Sequence, residues 1–181
     1  MDLAQAGADE AQGRRKTDDT KIKGRHMLAL RPAILGELDS LWALRTRAVA
    51  HACAAHYAQA VLDVWLASPA PASLSRLIAA GGVLVAEEDG RMLGYAAVDV
   101  TNGEVDAVFV EPGEHGRGIG ARLLAACEDM ARAAGCTRLF LSASLNAVPF
   151  YRRAGFIGLR EALYPHRSGI GIPSVFMEKQ L

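Results

Sequence analysis

The chain has 181 residues, 51% of them hydrophobic and 22% charged, which is long enough for one hydrophobic core and too apolar for disorder throughout. Its 20 basic and 20 acidic residues give a formal net charge of +0, leaving no basic excess to attract nucleic acid or an anionic membrane. Three cysteines, Cys53, Cys127 and Cys136, form no CxxC pair and read as small apolar side chains in a reducing cytoplasm. No stretch approaches the roughly 20 apolar residues of a membrane span, and no signal-peptide core opens the chain.

Residues 1–26 are polar, mixed in charge and aperiodic, and Gly24-Arg25-His26 before Met27 looks like a vector scar. The expectation is an N-terminal tail or vector-derived leader over 1–26 and a folded domain over 27–181. A short strand ends at Arg31-Pro32. Ile34, Leu35, Leu38, Leu41, Trp42 and Val49 then recur at helical spacing. Further helices are expected over Tyr57 to Ala67 and from Ala72 to Ala80, where Gly81-Gly82 stops the last one. Strands Val83–Ala86, Leu93–Val98 and Val105–Val110 are joined by turns at Asp89-Gly90 and Asn102-Gly103, which predicts three antiparallel strands in a row. After a glycine-rich loop comes a helix striped by Leu123, Leu124, Cys127, Met130 and Ala134, with Gly135 as its C-cap. Leu139-Phe140-Leu141 reads as a buried strand. Asn146 is expected to cap a short helix ended by Gly155, followed by strands near Phe156–Leu163 and Ser174–Met177. The fold class is α+β.

The strongest chemical signal is Val110-Glu111-Pro112-Gly113-Glu114-His115-Gly116-Arg117-Gly118-Ile119-Gly120-Ala121, a strand, a glycine-rich loop and a helix start in that order. Backbone N–H groups at a helix start have no intrahelical partner and lie at the positive end of the macrodipole, so they suit a pyrophosphate. A P-loop is excluded because no Lys-Ser/Thr follows the last glycine. Gly116-x-Gly118-x-x-Ala121 fits the dinucleotide fingerprint on paper. However, the turn is long and contains Pro112, and the strand ending in Ser142-Ala143-Ser144 lacks the acidic residue that holds a ribose. A ligand-free glycine turn is the remaining alternative.

Val110-x-Pro112-x-x-His115-Gly116-Arg117-Gly118-Ile119-Gly120 resembles the acyl-CoA signature of the GNAT superfamily of N-acetyltransferases, Gln/Arg-x-x-Gly-x-Gly/Ala. Asn146-Ala147-Val148-Pro149-Phe150-Tyr151 through Gly155-Phe156 resembles that family's second signature. His115 departs from the pattern, standing where Gln or Arg is usual. The resemblance implies a mostly antiparallel sheet of six or seven strands, splayed at a parallel pair and flanked by helices. In that gap acetyl-CoA would lie as cosubstrate, with no metal.

On the same resemblance, Phe109 and Val110 would pair with the pantetheine through their backbone. His115, Gly116, Arg117, Gly118, Ile119, Gly120 and Ala121 would hold the pyrophosphate, with Asn146 as a further ligand. Tyr151 would protonate the departing thiolate, and Glu104 or Asp106, on one strand face, would serve as general base. The expected reaction is direct attack by a primary amine of a small molecule or peptide in a ternary complex. The alternative is a non-catalytic acyl-CoA-binding regulatory module. His51, His56, Tyr57, Trp65 and Tyr164 are candidates to line the acceptor pocket, and a small neutral or amino-acid-like amine is the expected acceptor. No nucleic-acid or membrane partner is expected, and the protein would be a monomer or homodimer.

Overall fold

A computed structural model describes residues 27–181; the expected tail over 1–26 lies outside the described residues. Strand β1 (Ala29–Pro32) leads through a 3-10 turn into α1 (Leu38–Ala52), then α2 (Gln59–Leu66) and α3 (Ala72–Ala79). Strands β2 (Val83–Glu88), β3 (Arg91–Asp99) and β4 (Glu104–Val110) form the expected meander. Helix α4 (Ile119–Ala133), β5 (Arg138–Ser144), α5 (Val148–Arg153), β6 (Ile157–Pro165) and β7 (Gly171–Gln180) complete the chain. The seven strands form one sheet in the order β1-β2-β3-β4-β5-β7-β6. Every neighbouring pair is antiparallel except β4 and β5.

Both faces of β2, β3 and β4 are covered. On one side α4 and α5 pack Leu123, Leu124 and Tyr151 against Leu139, Leu141 and Met177. On the other, α1 and α3 pack Leu41, Leu44 and Leu74 against Val83, Val85 and Tyr95. The buried face of α4 differs from the expected stripe: Glu128 and Ala131 lie inside, whereas Ala134 is exposed and Met130 only half-buried. Glu128 can be buried because the Lys179 Nζ donates to it at 2.7 Å and Arg132 approaches at 3.3 Å, tying α4 to β7.

Two expectations need correction. Asn146 caps no helix: a 3-10 turn over Leu145–Ala147 precedes α5, and the Asn146 Oδ1 accepts the Cys53 thiol at 3.1 Å instead. The last two strands run past the expected ends. Strand β6 is a sheet edge that leaves Ile157, Leu159 and Leu163 exposed, so it lacks the in-out alternation that marks a strand in sequence.

The parallel pair is joined at a single register position, Glu104 with Phe140, and the Phe140 N–H donates to the Gly103 carbonyl at 3.0 Å. Gly103 has φ +84, and a Cβ there would stand 2.4 Å from the Arg138 carbonyl oxygen. The close approach of β5 to the β3–β4 turn therefore requires glycine twice over, for backbone angle and for space. Gly103→Ala is expected to destabilise the fold by about 2–4 kcal/mol, read as a lowered midpoint in chemical denaturation.

Candidate active site

Beyond the Glu104–Phe140 pair the two strands diverge, and a cavity of about 1000 Å³ opens between them. Its walls come from β4, β5, α1, the start of α4, α5 and the loop after β6. At one end lies the glycine-rich loop. The backbone N–H groups from His115 to Ala121 donate to no acceptor among the described residues; the first bond of the helix is from Arg122 to Gly118 at 3.0 Å. Gly116 and Gly118 have φ of +81 and +75, with nothing within 4 Å of where a Cβ would stand. Glycine is needed here for backbone angle, not for packing, and the space it leaves is the cavity itself.

The expected site residues fall mostly on this cavity. His115, Gly116, Gly118, Ile119, Gly120 and Ala121 line it, as do Phe109, Val110 and Asn146. Arg117 does not. Its guanidinium is held by Glu88 at 2.8 Å and by Glu114, which leaves only its backbone to face the loop. Of the residues expected to line an acceptor pocket, His56, Trp65 and Tyr164 line this cavity, whereas His51 and Tyr57 stand outside its wall. Tyr57 is a strut: its hydroxyl donates to the Pro173 carbonyl and accepts from the Leu145 N–H, both at 2.8 Å.

Glu104 and Asp106 both reach the cavity, but not through simple strand alternation. Val98 pairs with Val105 and Ala97 with Ala107, so Asp106 is the extra residue of a β-bulge that re-aims its side chain. Asp106 is open to water yet walled in by the cavity, and this desolvation, with the charge of Asp99, raises its pKa. Desolvation and then Asp106 raise that of Glu104. Neither carboxylate pairs with a cation among the described residues.

Tyr151 is 7% exposed and packs edge-on against Phe150 and Phe156, with ring centroids 4.9 and 5.6 Å away. Its hydroxyl has no hydrogen-bond partner among the described residues and is not sealed from solvent, and the residue lines the cavity. Burial raises its pKa above that of a free phenol, so it keeps its proton through neutral pH. Cys53, although in the wall, is an inert thiol: burial raises its pKa to about 11, and its S–H donates a hydrogen bond to the Asn146 Oδ1.

Sequence reading missed Arg45 and Tyr95, which are buried side chains in the cavity wall. The signal for Arg45 was a charge interrupting the apolar stripe of Leu41, Leu44, Ala48 and Val49. Nothing in its strand context distinguished Tyr95 from an ordinary core aromatic.

Because the folded state raises the Asp106 pKa above its ordinary value of 3.8, ionisation of this group opposes folding above that range. The penalty disappears as pH falls below the unfolded value. Asp106→Asn is therefore expected to raise the melting temperature at pH 7–8, with the gain shrinking toward pH 4; melting curves across that range check it.

The family model of the acetyltransferase (GNAT) domain matches residues 53–181. An IAA acetyltransferase from Azospirillum brasilense is 38% identical over 105 residues, 54% of this chain and 67% of that one. A glucosamine 6-phosphate N-acetyltransferase from rice is 33% identical over 86 residues, and there the chain spans only 48% of the relative's length. Among solved structures, a GCN5-related N-acetyltransferase from Rhodopseudomonas palustris superposes with a TM-score of 0.74 at 25% identity, covering 86% of this chain and 96% of that one. A Salmonella typhimurium protein solved with its cofactor acetyl-CoA has a TM-score of 0.60 at 25% identity, covering 86% and 94%.

Proposed function

This chain belongs to the GNAT acetyltransferase family and is an N-acetyltransferase, and we propose that it moves the acetyl group of acetyl-CoA directly onto a primary amine of a small molecule in a ternary complex. The observation that carries this reading is the partnerless run of N–H groups from His115 to Ala121, opening into the space between two parallel strands that have parted. That arrangement offers a pyrophosphate several donors and a helix end at once. The neighbour solved with acetyl-CoA supports the same choice of ligand.

Acetyl-CoA, when bound, supplies an activated thioester. The residues of the chain then have separate tasks. The backbone from His115 to Ala121 holds the pyrophosphate, with the Asn146 amide nearby. The open edge of β4 at Phe109 and Val110 offers backbone groups to the pantetheine in the manner of an added strand. Asp106 and Glu104 take up the proton that the amine releases. Their raised pKa values bring them closer to that of a working base, so their burial serves the chemistry although it costs stability. The Tyr151 hydroxyl keeps its proton for the sulfur. In balance, a nitrogen–carbon bond forms, the carbon–sulfur bond breaks, the amine loses a proton and the thiolate gains one.

Acetyl-CoA is expected to raise the melting temperature, equivalent to about 2.7 kcal/mol at a hundredfold excess over Kd; no shift at millimolar ligand overturns the site. Tyr151→Phe should lower kcat by about 10²-fold and leave that thermal shift in place. An unchanged kcat, read by free-thiol release, removes Tyr151 as the acid.

A further inference from the structure

Arg45 lies on the buried face of α1 and is only 3% exposed. A guanidinium so placed ordinarily has a carboxylate beside it, because an uncompensated buried charge is costly. None pairs with it among the described residues. Its guanidinium carbon lies 4.5 Å from the Trp42 ring centroid and 5.5 Å from that of Trp65, and its Nη1 donates to the Trp65 carbonyl at 3.1 Å. These contacts offset only part of the desolvation, which lowers its pKa to about 10.

The remaining edge, Nε with Nη2, has no acceptor among the described residues. No side-chain nitrogen among them is both sealed and unpartnered, so this edge is reachable from outside, and Arg45 lines the cavity. It is the edge that meets a carboxylate in two parallel hydrogen bonds. Tyr95, 1% exposed, lines the same cavity, and its hydroxyl is unsealed and without a partner among the described residues. It stands within electrostatic reach of both Arg45 and Asp106. Arg167 and His166, on the loop after β6, line the wall near Arg45, and both interact electrostatically with it. Among the described residues the cavity thus carries the unneutralised cation of Arg45 and the unneutralised carboxylates of Asp106 and Glu104, with Tyr95 in electrostatic reach of Arg45 and Asp106.

We propose that the acceptor is an amino carboxylic acid, its carboxylate seated on the Nε–Nη2 edge of Arg45 beside the Tyr95 hydroxyl and its amine directed to Asp106 and Glu104. The fate of the amine rests on the acetyl-transfer reading above; the carboxylate site rests on Arg45 and Tyr95. One planar, singly charged group with two oxygens matches the one buried fork of Arg45.

The test does not depend on acetyl transfer, because the two tryptophans of the sequence, Trp42 and Trp65, are the ones that flank Arg45. Intrinsic fluorescence of the full chain is titrated with the common α-amino acids one at a time, then with the methyl ester of each that responds. The expected result is a saturable change for at least one amino acid, weakened about 30-fold or more in its ester and in Arg45→Met. The acetyl-CoA thermal shift should be unchanged in that variant. If Arg45→Met does not fold, Arg45→Lys keeps the stem and charge but loses the fork, and Tyr95→Phe removes the second donor; both should weaken binding of the acid and not of the ester.

No response from any amino acid at millimolar concentration overturns the proposal, as does an ester that binds as well as its acid. So does a tighter response to an amino-sugar phosphate than to every amino acid. A normal amino-acid titration without an acetyl-CoA thermal shift sinks the acetyl-CoA reading and leaves the carboxylate site standing.

Discussion

Everything at the site depends on how little holds β4 to β5. Two parallel neighbours in a sheet would ordinarily share a ladder along their length, yet these share one register pair, at Glu104 and Phe140. Strand β4 stays in the sheet because β3 pairs with it on the other side, from Gly94 with Val110 to Asp99 with Glu104. Strand β5 stays because β7 pairs with it over its whole length. Each half is complete without the other, so the gap costs only the hydrogen bonds that β4 and β5 would have made together. Those unmade bonds are the groups left to face a ligand.

The electrostatics of the cavity follow from the same opening. A folded interior normally pairs its charges, as Glu128, Lys179 and Arg132 do between α4 and β7. Around the gap the rule is relaxed. Among the described residues, Asp106 sits on a bulge without a cation, and Arg45 lies among aromatic rings without an anion. Both departures cost stability, and both are on the cavity wall. Charges placed this way are left without the partners that a folded interior normally supplies, as far as the described residues go.

Much of the fold was legible because its signals are local. The Asp89-Gly90 turn and the glycine stop after α3 are written in a few adjacent residues, and each lies where expected; at the end of α4 the C-cap is Ala134, one residue earlier than expected, and Gly135 follows it in the left-handed conformation. The glycine-rich loop was legible for the same reason. What escaped notice depends on partners far away in sequence. Asn146 looks like a helix cap until Cys53, 93 positions earlier, offers its thiol. Glu128 looks like a solvated charge until β7 brings Lys179 against it. The bulge at Asp106 arises from the pairing of two strands and leaves no mark in either strand alone. Strand β6 is mostly exposed, and without a buried face its length could not be read.

The division of labour between main chain and side chain has a consequence for how such a protein can change over generations. At the α4 end of the cavity the donors are backbone N–H groups, identical for every residue type, and the requirement falls on the backbone angles of Gly116 and Gly118. Most other substitutions in that loop leave the donors intact. At the α1 end the wall is built from side chains such as Arg45, Trp65 and Tyr164, each replaceable singly. On the reading proposed above, inherited variation can retarget the acceptor while the cosubstrate is retained, so descendants of one ancestral chain diverge in what they modify without relearning how to bind acetyl-CoA.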